Sequence, residues 1–97
     1  MEYKNFYRVL LQTKHGRAGN LTSYFCDVYA YNALEAKDQV VKAWYAFHDG
    51  HVFHVRALRL KSLVLSGCIS RVDEYPEAVL WFTSRGIIQQ LRGGRAQ

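Results

Sequence analysis

The sequence predicts a small α+β domain in which a helix lies across an antiparallel sheet. Two alternating apolar and polar segments near the start flank a short connection that contains glycine, a pattern typical of a β-hairpin. A helical pattern with start and stop signals follows, and the alternation then resumes. These observations predict the order strand, strand, helix, strand, strand, helix. We assign residues 1–91 to a single domain and residues 92–97 to a flexible basic tail.

The first two predicted strands span residues 5–13 and 21–31. Successive side chains of a strand alternate between its two faces. One face is therefore expected to carry Tyr7, Val9, Leu11, Tyr24, Cys26, Val28 and Ala30. The opposite face is expected to carry Lys4, Phe6, Arg8, Leu10, Phe25, Asp27, Tyr29 and Tyr31. The connection over residues 14–20 holds two glycines and an asparagine, which favour turns, and it is basic.

A helix is predicted over residues 33–47, with signals at both ends. Asn32 is a favourable N-cap, and Glu35 three residues later completes a variant of the capping box. Gly50 follows the periodic segment, where glycine commonly ends a helix. Apolar residues recur at helical spacing and should face the sheet: Ala33, Ala36, Val40, Ala43, Trp44 and Phe47.

The second half of the chain alternates again over residues 51–60, which predicts a third strand. Residues 68–72 predict a short fourth strand. Pro76 favours the first turn of a helix, and we expect that helix over residues 77–91. The segment 78–83 has the composition of a strand, and a glycine at position 86 weakens a helix by about 1 kcal/mol. The sequence therefore leaves both helix and strand as alternatives for the segment 78–83.

Composition and charge narrow the class of protein. The chain has 97 residues, a formal charge of +5 and 49% apolar residues, too many for a disordered tail. It contains no apolar run of about 20 residues that would span a membrane. It also lacks a basic start followed by an apolar run and a cleavage site, so we expect a cytoplasmic protein. Cys26 and Cys68 form no CxxC pair, and we expect both to be free and buried.

No catalytic site, metal site or cofactor is predicted. His48, His51 and His54 lie close in sequence, but the last two would point to opposite faces of a strand. Neither cysteine lies in a nucleophile motif, and the acidic residues near position 74 suit the start of a helix. We therefore expect a protein that is not an enzyme.

The sheet face opposite the first helix is the strongest functional candidate. It interleaves aromatic rings with cations, and the third strand adds basic residues to it. The predicted binding residues are Lys4, Phe6, Arg8, Arg17, Phe25, Tyr29, His54 and Arg56. Such a surface suits a protein interface, and it also suits single-stranded DNA or RNA, whose bases stack on rings. A second helix or a partner subunit covering this face is the remaining alternative.

Charge distribution favours a protein partner over nucleic acid. The cations do not form one block, because Arg56, Arg59 and Lys61 lie on the third strand and its exit while others lie elsewhere. We therefore expect contact with a protein, with nucleic acid as the second candidate, and no membrane contact. The sequence does not indicate an oligomeric state.

In the first half of the chain, a predicted strand pair leads directly into a helix through the segment Tyr29-Ala30-Tyr31-Asn32-Ala33-Leu34-Glu35-Ala36. In this it resembles small single-domain proteins of bacteriophages and plasmids, including anti-CRISPR proteins. The resemblance implies an inhibitor of a bacterial defence complex, but it carries over no functional residue. The chain departs from the acidic DNA-mimicking inhibitors because it is basic.

Overall fold

A computed structural model describes residues 3–15 and 20–85. In those residues a four-stranded antiparallel sheet has the order β3-β1-β2-β4, with a helix on each side. The elements are β1 Asn5–His15, β2 Asn20–Ala30, α1 Ala33–Phe47, β3 His51–Arg59, β4 Ser70–Arg71, a 3₁₀ turn Val72–Glu74 and α2 Pro76–Ser84. The predicted α+β class is confirmed.

The hairpin and the first helix lie close to their predicted bounds. Strands β1 and β2 pair in register from Asn5 opposite Ala30 to His15 opposite Asn20. Helix α1 begins after Asn32, whose side-chain oxygen accepts a hydrogen bond from the Glu35 amide at 2.8 Å. The Glu35 carboxylate accepts from the Tyr31 amide at 3.0 Å, one residue earlier than in the usual capping box.

Helix α1 packs against one face of the sheet through most of the predicted apolar stripe. The prediction is wrong for Phe47, the last residue of the helix, which is 83% exposed. The core on this side consists of Tyr7, Val9, Leu11, Cys26, Ala30, Ala36, Val40 and Trp44. Trp44 is fully buried, and its indole N–H donates to the Gly50 carbonyl at 2.6 Å. This bond ties the end of α1 to the start of β3, so the helix and the edge strand are held in a fixed relation.

The second helix covers part of the opposite face, so the predicted packing of a helix on one face holds for α1 and describes the fold only in part. A separate core there consists of Leu10, Phe25, Val72, Ala78 and Phe82. The segment that could have been a strand is helical over Pro76–Ser84, with proline in its first turn. Residues 86–91 of the predicted helix and the predicted tail over 92–97 lie outside the described residues.

The two cysteines differ in their surroundings. Cys26 is buried as predicted, and burial raises the pKa of its thiol to about 11, with the negative charge of Asp27 adding to the effect. Cys68 is exposed, contrary to prediction. The reason is that β4 begins only at Ser70, so Cys68 lies in the bend that precedes the strand. In the described part of the chain, no helix is long and apolar enough to cross a bilayer.

Candidate binding site

An open cleft of about 500 Å³ lies where β1 begins and where β2 and β3 end. Antiparallel pairing explains this position, because the start of β1 lies between the ends of both its neighbours. The volume falls in the range of roughly 300–1,000 Å³ that is usual for ligand pockets. The cleft is lined by Lys4, Asn5, Phe6, Tyr29, Arg59, Leu60 and Lys61.

Two aromatic rings form one part of the cleft. Phe6 and Tyr29 are directly opposite each other in the β1–β2 register, and their ring centroids are 4.8 Å apart at 32°. They remain 43% and 52% exposed, because α2 does not extend over this end of the sheet. Paired rings left half in water offer apolar surface that a ligand can cover.

Three cations line the cleft together with the rings. The Lys4 ammonium lies 5.8 Å from the Tyr29 ring centroid and 5.1 Å from that of Tyr31, within the range of cation–π contacts. The Arg59 guanidinium donates to the side-chain oxygen of Asn5 at 2.9 Å. Lys61 is exposed at the other side of the cleft.

The cleft is electrostatically one-sided. No lining residue is acidic. Within residues 3–15 and 20–85, the ion pairs join Arg8 to Asp27 and Arg71 to Asp73, so none of the three cleft cations has a carboxylate partner there. The site is therefore suited to an anionic group placed beside an apolar or aromatic one.

The segment after β3 closes one side of the cleft. The Leu60 amide donates to the Phe6 carbonyl at 2.8 Å, which continues the pairing of β3 with β1 past Arg59. The chain then turns across the sheet, and the Leu63 carbonyl accepts from Arg8 at 3.1 Å. The Leu63 and Val64 side chains, two and three residues after Lys61 of the cleft, are exposed, and we call this pair the apolar rim.

Arg8 and Phe25 do not belong to any open surface, and their prediction as exposed binding residues is wrong. Arg8 is 1% exposed and forms two bonds of 2.8 Å to the carboxylate of Asp27, its partner in the β1–β2 register. The Trp81 ring of α2 lies over its guanidinium at 4.9 Å.

Phe25 is fully buried under the second helix and the residues before it. Its ring meets those of Tyr75 and Phe82 edge to face, at centroid distances of 5.2 and 6.2 Å. Both corrections have the same physical reason. The chain beyond β3 returns over this face and covers both side chains, an alternative that the sequence leaves open.

The other predicted site residues fall into three groups. Lys4, Phe6 and Tyr29 come together in the cleft. His54 and Arg56 are exposed on β3 opposite Gln12 and Leu10, and Arg56 lies about 13 Å along the strand from Leu60. Arg17 lies outside the described residues.

Four cleft residues are not among the predicted binding residues: Asn5, Arg59, Leu60 and Lys61. Arg59 and Lys61 belong to the basic group at the exit of the third strand. The pairing of β1 with β3 brings that exit beside Phe6. A strand order cannot be read from local alternation alone.

The functional groups of the cleft are two aromatic rings, two ammonium groups, one guanidinium group and an amide. Among the described residues, no three His, Cys, Asp or Glu side chains lie close enough to hold a metal ion. The chain matches no protein-family model, and the comparisons with curated proteins and with solved structures found no match.

Proposed function

We propose that this chain is a non-enzymatic binding protein that holds an acidic segment of a partner protein in the cleft. The observation that carries the proposal is the combination of the exposed Phe6–Tyr29 pair with three cations that have no described carboxylate partner. Rings of this kind, together with Arg, are enriched at the centres of protein interfaces.

Electrostatics favour an acidic partner. The three cleft cations repel one another, and a bound carboxylate would relieve that repulsion as the cleft loses water. An exposed ion pair contributes only about 0.2–1 kcal/mol, so the charges supply orientation and rate of encounter more than affinity. Affinity would come from covering the two rings, since truncation of a central interface aromatic commonly costs about 2 kcal/mol or more.

The apolar rim favours protein over nucleic acid as the partner. Leu63 and Val64 are exposed and follow Lys61 closely in the chain, and a phosphate backbone offers them nothing to pack against. A peptide with an acidic group and an apolar group could contact the cleft cations and the apolar rim at the same time. The partner is thus expected to present both kinds of side chain.

Single-stranded DNA or RNA is the second candidate. The paired rings with Lys4 and Lys61 beside them resemble the stacking platform and phosphate contacts of single-strand binders. The sheet face beyond the cleft supports this candidate less, because α2 covers Phe25 and leaves a platform of two rings.

A matched pair of charge reversals tests the proposal. Lys61→Glu changes the cleft, whereas Lys42→Glu changes net charge equally on α1, which packs on the other side of the sheet. The probe is a fluorescent ten-residue peptide of alternating glutamate and valine, measured by anisotropy at two salt concentrations. We expect Lys61→Glu to weaken binding at least tenfold and Lys42→Glu to change it less than twofold.

The same titrations with a ten-nucleotide oligothymidine decide between the candidates. Tighter binding of the oligonucleotide than of the peptide, with a steep loss of affinity as salt rises, would replace the protein partner by nucleic acid. Equal effects of Lys61→Glu and Lys42→Glu on the peptide would show that only net charge matters, and the cleft would lose its role.

The consequence of binding that we propose is inhibition. The resemblance to anti-CRISPR proteins suggests that the partner belongs to a host defence complex, and a cleft that holds an acidic segment would block the contacts of that segment. Restoration of defence activity by Lys61→Glu, but not by Lys42→Glu, is the expected result in such an assay.

A further inference from the structure

Strand β3 lies at one edge of the sheet and is long enough to pair with a further strand. It spans nine residues, His51–Arg59, and pairs with β1 on one side. Among residues 3–15 and 20–85, no segment pairs with its other side. The opposite edge of the sheet is different, because Ser66 and β4 take up part of the outer side of β2.

The direction of the backbone groups of β3 follows from one hydrogen bond. The Leu60 amide donates inward to the Phe6 carbonyl of β1. Because backbone groups alternate in direction along an antiparallel strand, Leu58 and Arg56 also face β1. Val55, Ala57 and Arg59 therefore direct their N–H and C=O groups away from the sheet.

These outward groups have no described hydrogen-bond partner in the chain. Earlier along the strand the situation differs, since the Tyr45 hydroxyl accepts the Val52 amide at 3.0 Å and Phe53 lies at a bulge in the pairing with β1. The open part of the edge thus begins after the bulge. It runs directly into Arg59, Leu60 and Lys61, which line the cleft.

The positive charge of this edge disfavours pairing between the β3 strands of two copies of the chain. Strand β3 carries Arg56, Arg59 and two histidines, and no acidic residue. Two such strands would place arginines on both faces of the joined edge without a carboxylate, and like charges on paired strands are destabilising. A strand with acidic side chains has the complementary charge.

We propose that the outer edge of β3 takes up an extended acidic segment of the partner protein as a fifth strand. This inference, which rests on the proposed function, names the conformation in which the partner is held. The segment would exchange backbone hydrogen bonds with Val55, Ala57 and Arg59 and place its carboxylates on the sheet face of Arg56, which also carries Phe6 and Tyr29. Its end would then reach the ring pair of the cleft.

Amide hydrogen exchange measured by NMR tests the added strand directly. The probe is the same peptide of alternating glutamate and valine. At saturation we expect exchange at Val55, Ala57 and Arg59 to slow at least tenfold. The amides of Arg56 and Leu58 already pair with β1 and serve as internal controls, with no comparable change.

A second probe removes the backbone bonds without changing the protein. The peptide N-methylated at alternate residues cannot donate along one edge, although its charge and composition are nearly the same. We expect its affinity to fall at least tenfold. Ala57→Pro removes an outward N–H from the protein side, with Ala57→Ser as the control that keeps it; circular dichroism and thermal unfolding establish that both variants fold.

The outcomes separate this inference from the proposed function. Peptide binding that depends on Lys61 but ignores N-methylation, with no protection of the edge amides, overturns the added strand and leaves the cleft in place. Absence of peptide binding overturns both. Protection of the edge amides without peptide also overturns the inference: a dependence on protein concentration would indicate a second copy, and its absence would indicate the chain's own segment over 86–97.

Discussion

Replacing Arg8 with methionine leaves the buried carboxylate of Asp27 without its cation. In the folded protein that carboxylate accepts two bonds of 2.8 Å from Arg8, one of 2.7 Å from the Leu65 amide and one of 3.4 Å from the Ser66 amide. Both side chains of the ion pair are essentially inaccessible to water. We therefore expect Arg8→Met to lower the free energy of unfolding by about 3–5 kcal/mol.

The expected loss is large for a chain of this size. Domains of this length are stable by about 5–15 kcal/mol, and 1 kcal/mol corresponds to roughly 4–8 °C in Tm. A loss of about 3 kcal/mol would lower Tm by roughly 12–24 °C. Arg8 also donates to the Leu63 carbonyl and lies under Trp81, so the loop 60–66 and helix α2 should loosen first.

Urea unfolding followed by tryptophan fluorescence and far-UV circular dichroism measures this loss. The control is Arg71→Met, which breaks the exposed pair of Arg71 with Asp73 and should cost less than about 1 kcal/mol. In the double variant Arg8→Met/Asp27→Leu the loss should be smaller than the sum of the single losses by about 2 kcal/mol. If Arg8→Met lowers the free energy of unfolding by less than about 1 kcal/mol, the buried ion pair does not stabilise this face as we argue.

Three further predictions concern the helix cap, the buried indole and the thiols. Asn32→Ala removes the acceptor of the Glu35 amide and should lower the free energy of unfolding by about 1 kcal/mol in urea titration; an unchanged value would mean that the cap contributes nothing. Trp44→Phe leaves the buried Gly50 carbonyl unpaired and should cost about 2–3 kcal/mol by the same measurement, more than Trp81→Phe, whose ring is half-buried. Ellman's reagent should react at once with Cys68 and with Cys26 only on unfolding. Because the folded Cys26 pKa of about 11 exceeds the ordinary 9.0, the thiol of the unfolded state loses its proton at lower pH, and the free energy of unfolding should fall as pH rises from about 9 to 11. The fall should be roughly 2 kcal/mol larger than in Cys26→Ala, and parallel pH profiles of the two proteins would contradict this.

Elements fixed by local patterns could be predicted from the sequence. Helix α1 has the bounds that the cap at Asn32 and the apolar stripe indicate, because capping and periodicity act within a few residues. The hairpin follows from alternation and a glycine-containing connection for the same reason. Strand β4 is shorter than predicted, since only Ser70 and Arg71 meet β2 before the chain turns.

The functional face depends on contacts that are distant in sequence. The burial of Arg8 needs Asp27 opposite it and Trp81 above it, and the second contact lies more than 70 residues away along the chain. Alternation places a residue on a face, but it does not say whether another element covers that face. The predicted strands place Arg8 and Asp27 on the same face, and the register observed in the structure sets them directly opposite each other.

The cleft could be predicted only in part, for a related reason. Lys4, Phe6 and Tyr29 follow from the hairpin, whereas Arg59 and Lys61 join them because β3 pairs with β1 rather than with β2. Strand order is decided by how α1 packs and where its end is held, as the Trp44–Gly50 bond illustrates. No local pattern in the chain contains that information.

Chemical-shift mapping tests the central claim, that the cleft binds an acidic segment, most directly. Isotope-labelled protein would be titrated with the peptide of alternating glutamate and valine and, in parallel, with a peptide of alternating lysine and valine. We expect the acidic peptide to move the resonances of Phe6, Tyr29 and Arg59 and to leave Lys42 on α1 unmoved, while the basic peptide moves none of them. Shifts centred on α1, or equal shifts with both peptides, would contradict the claim.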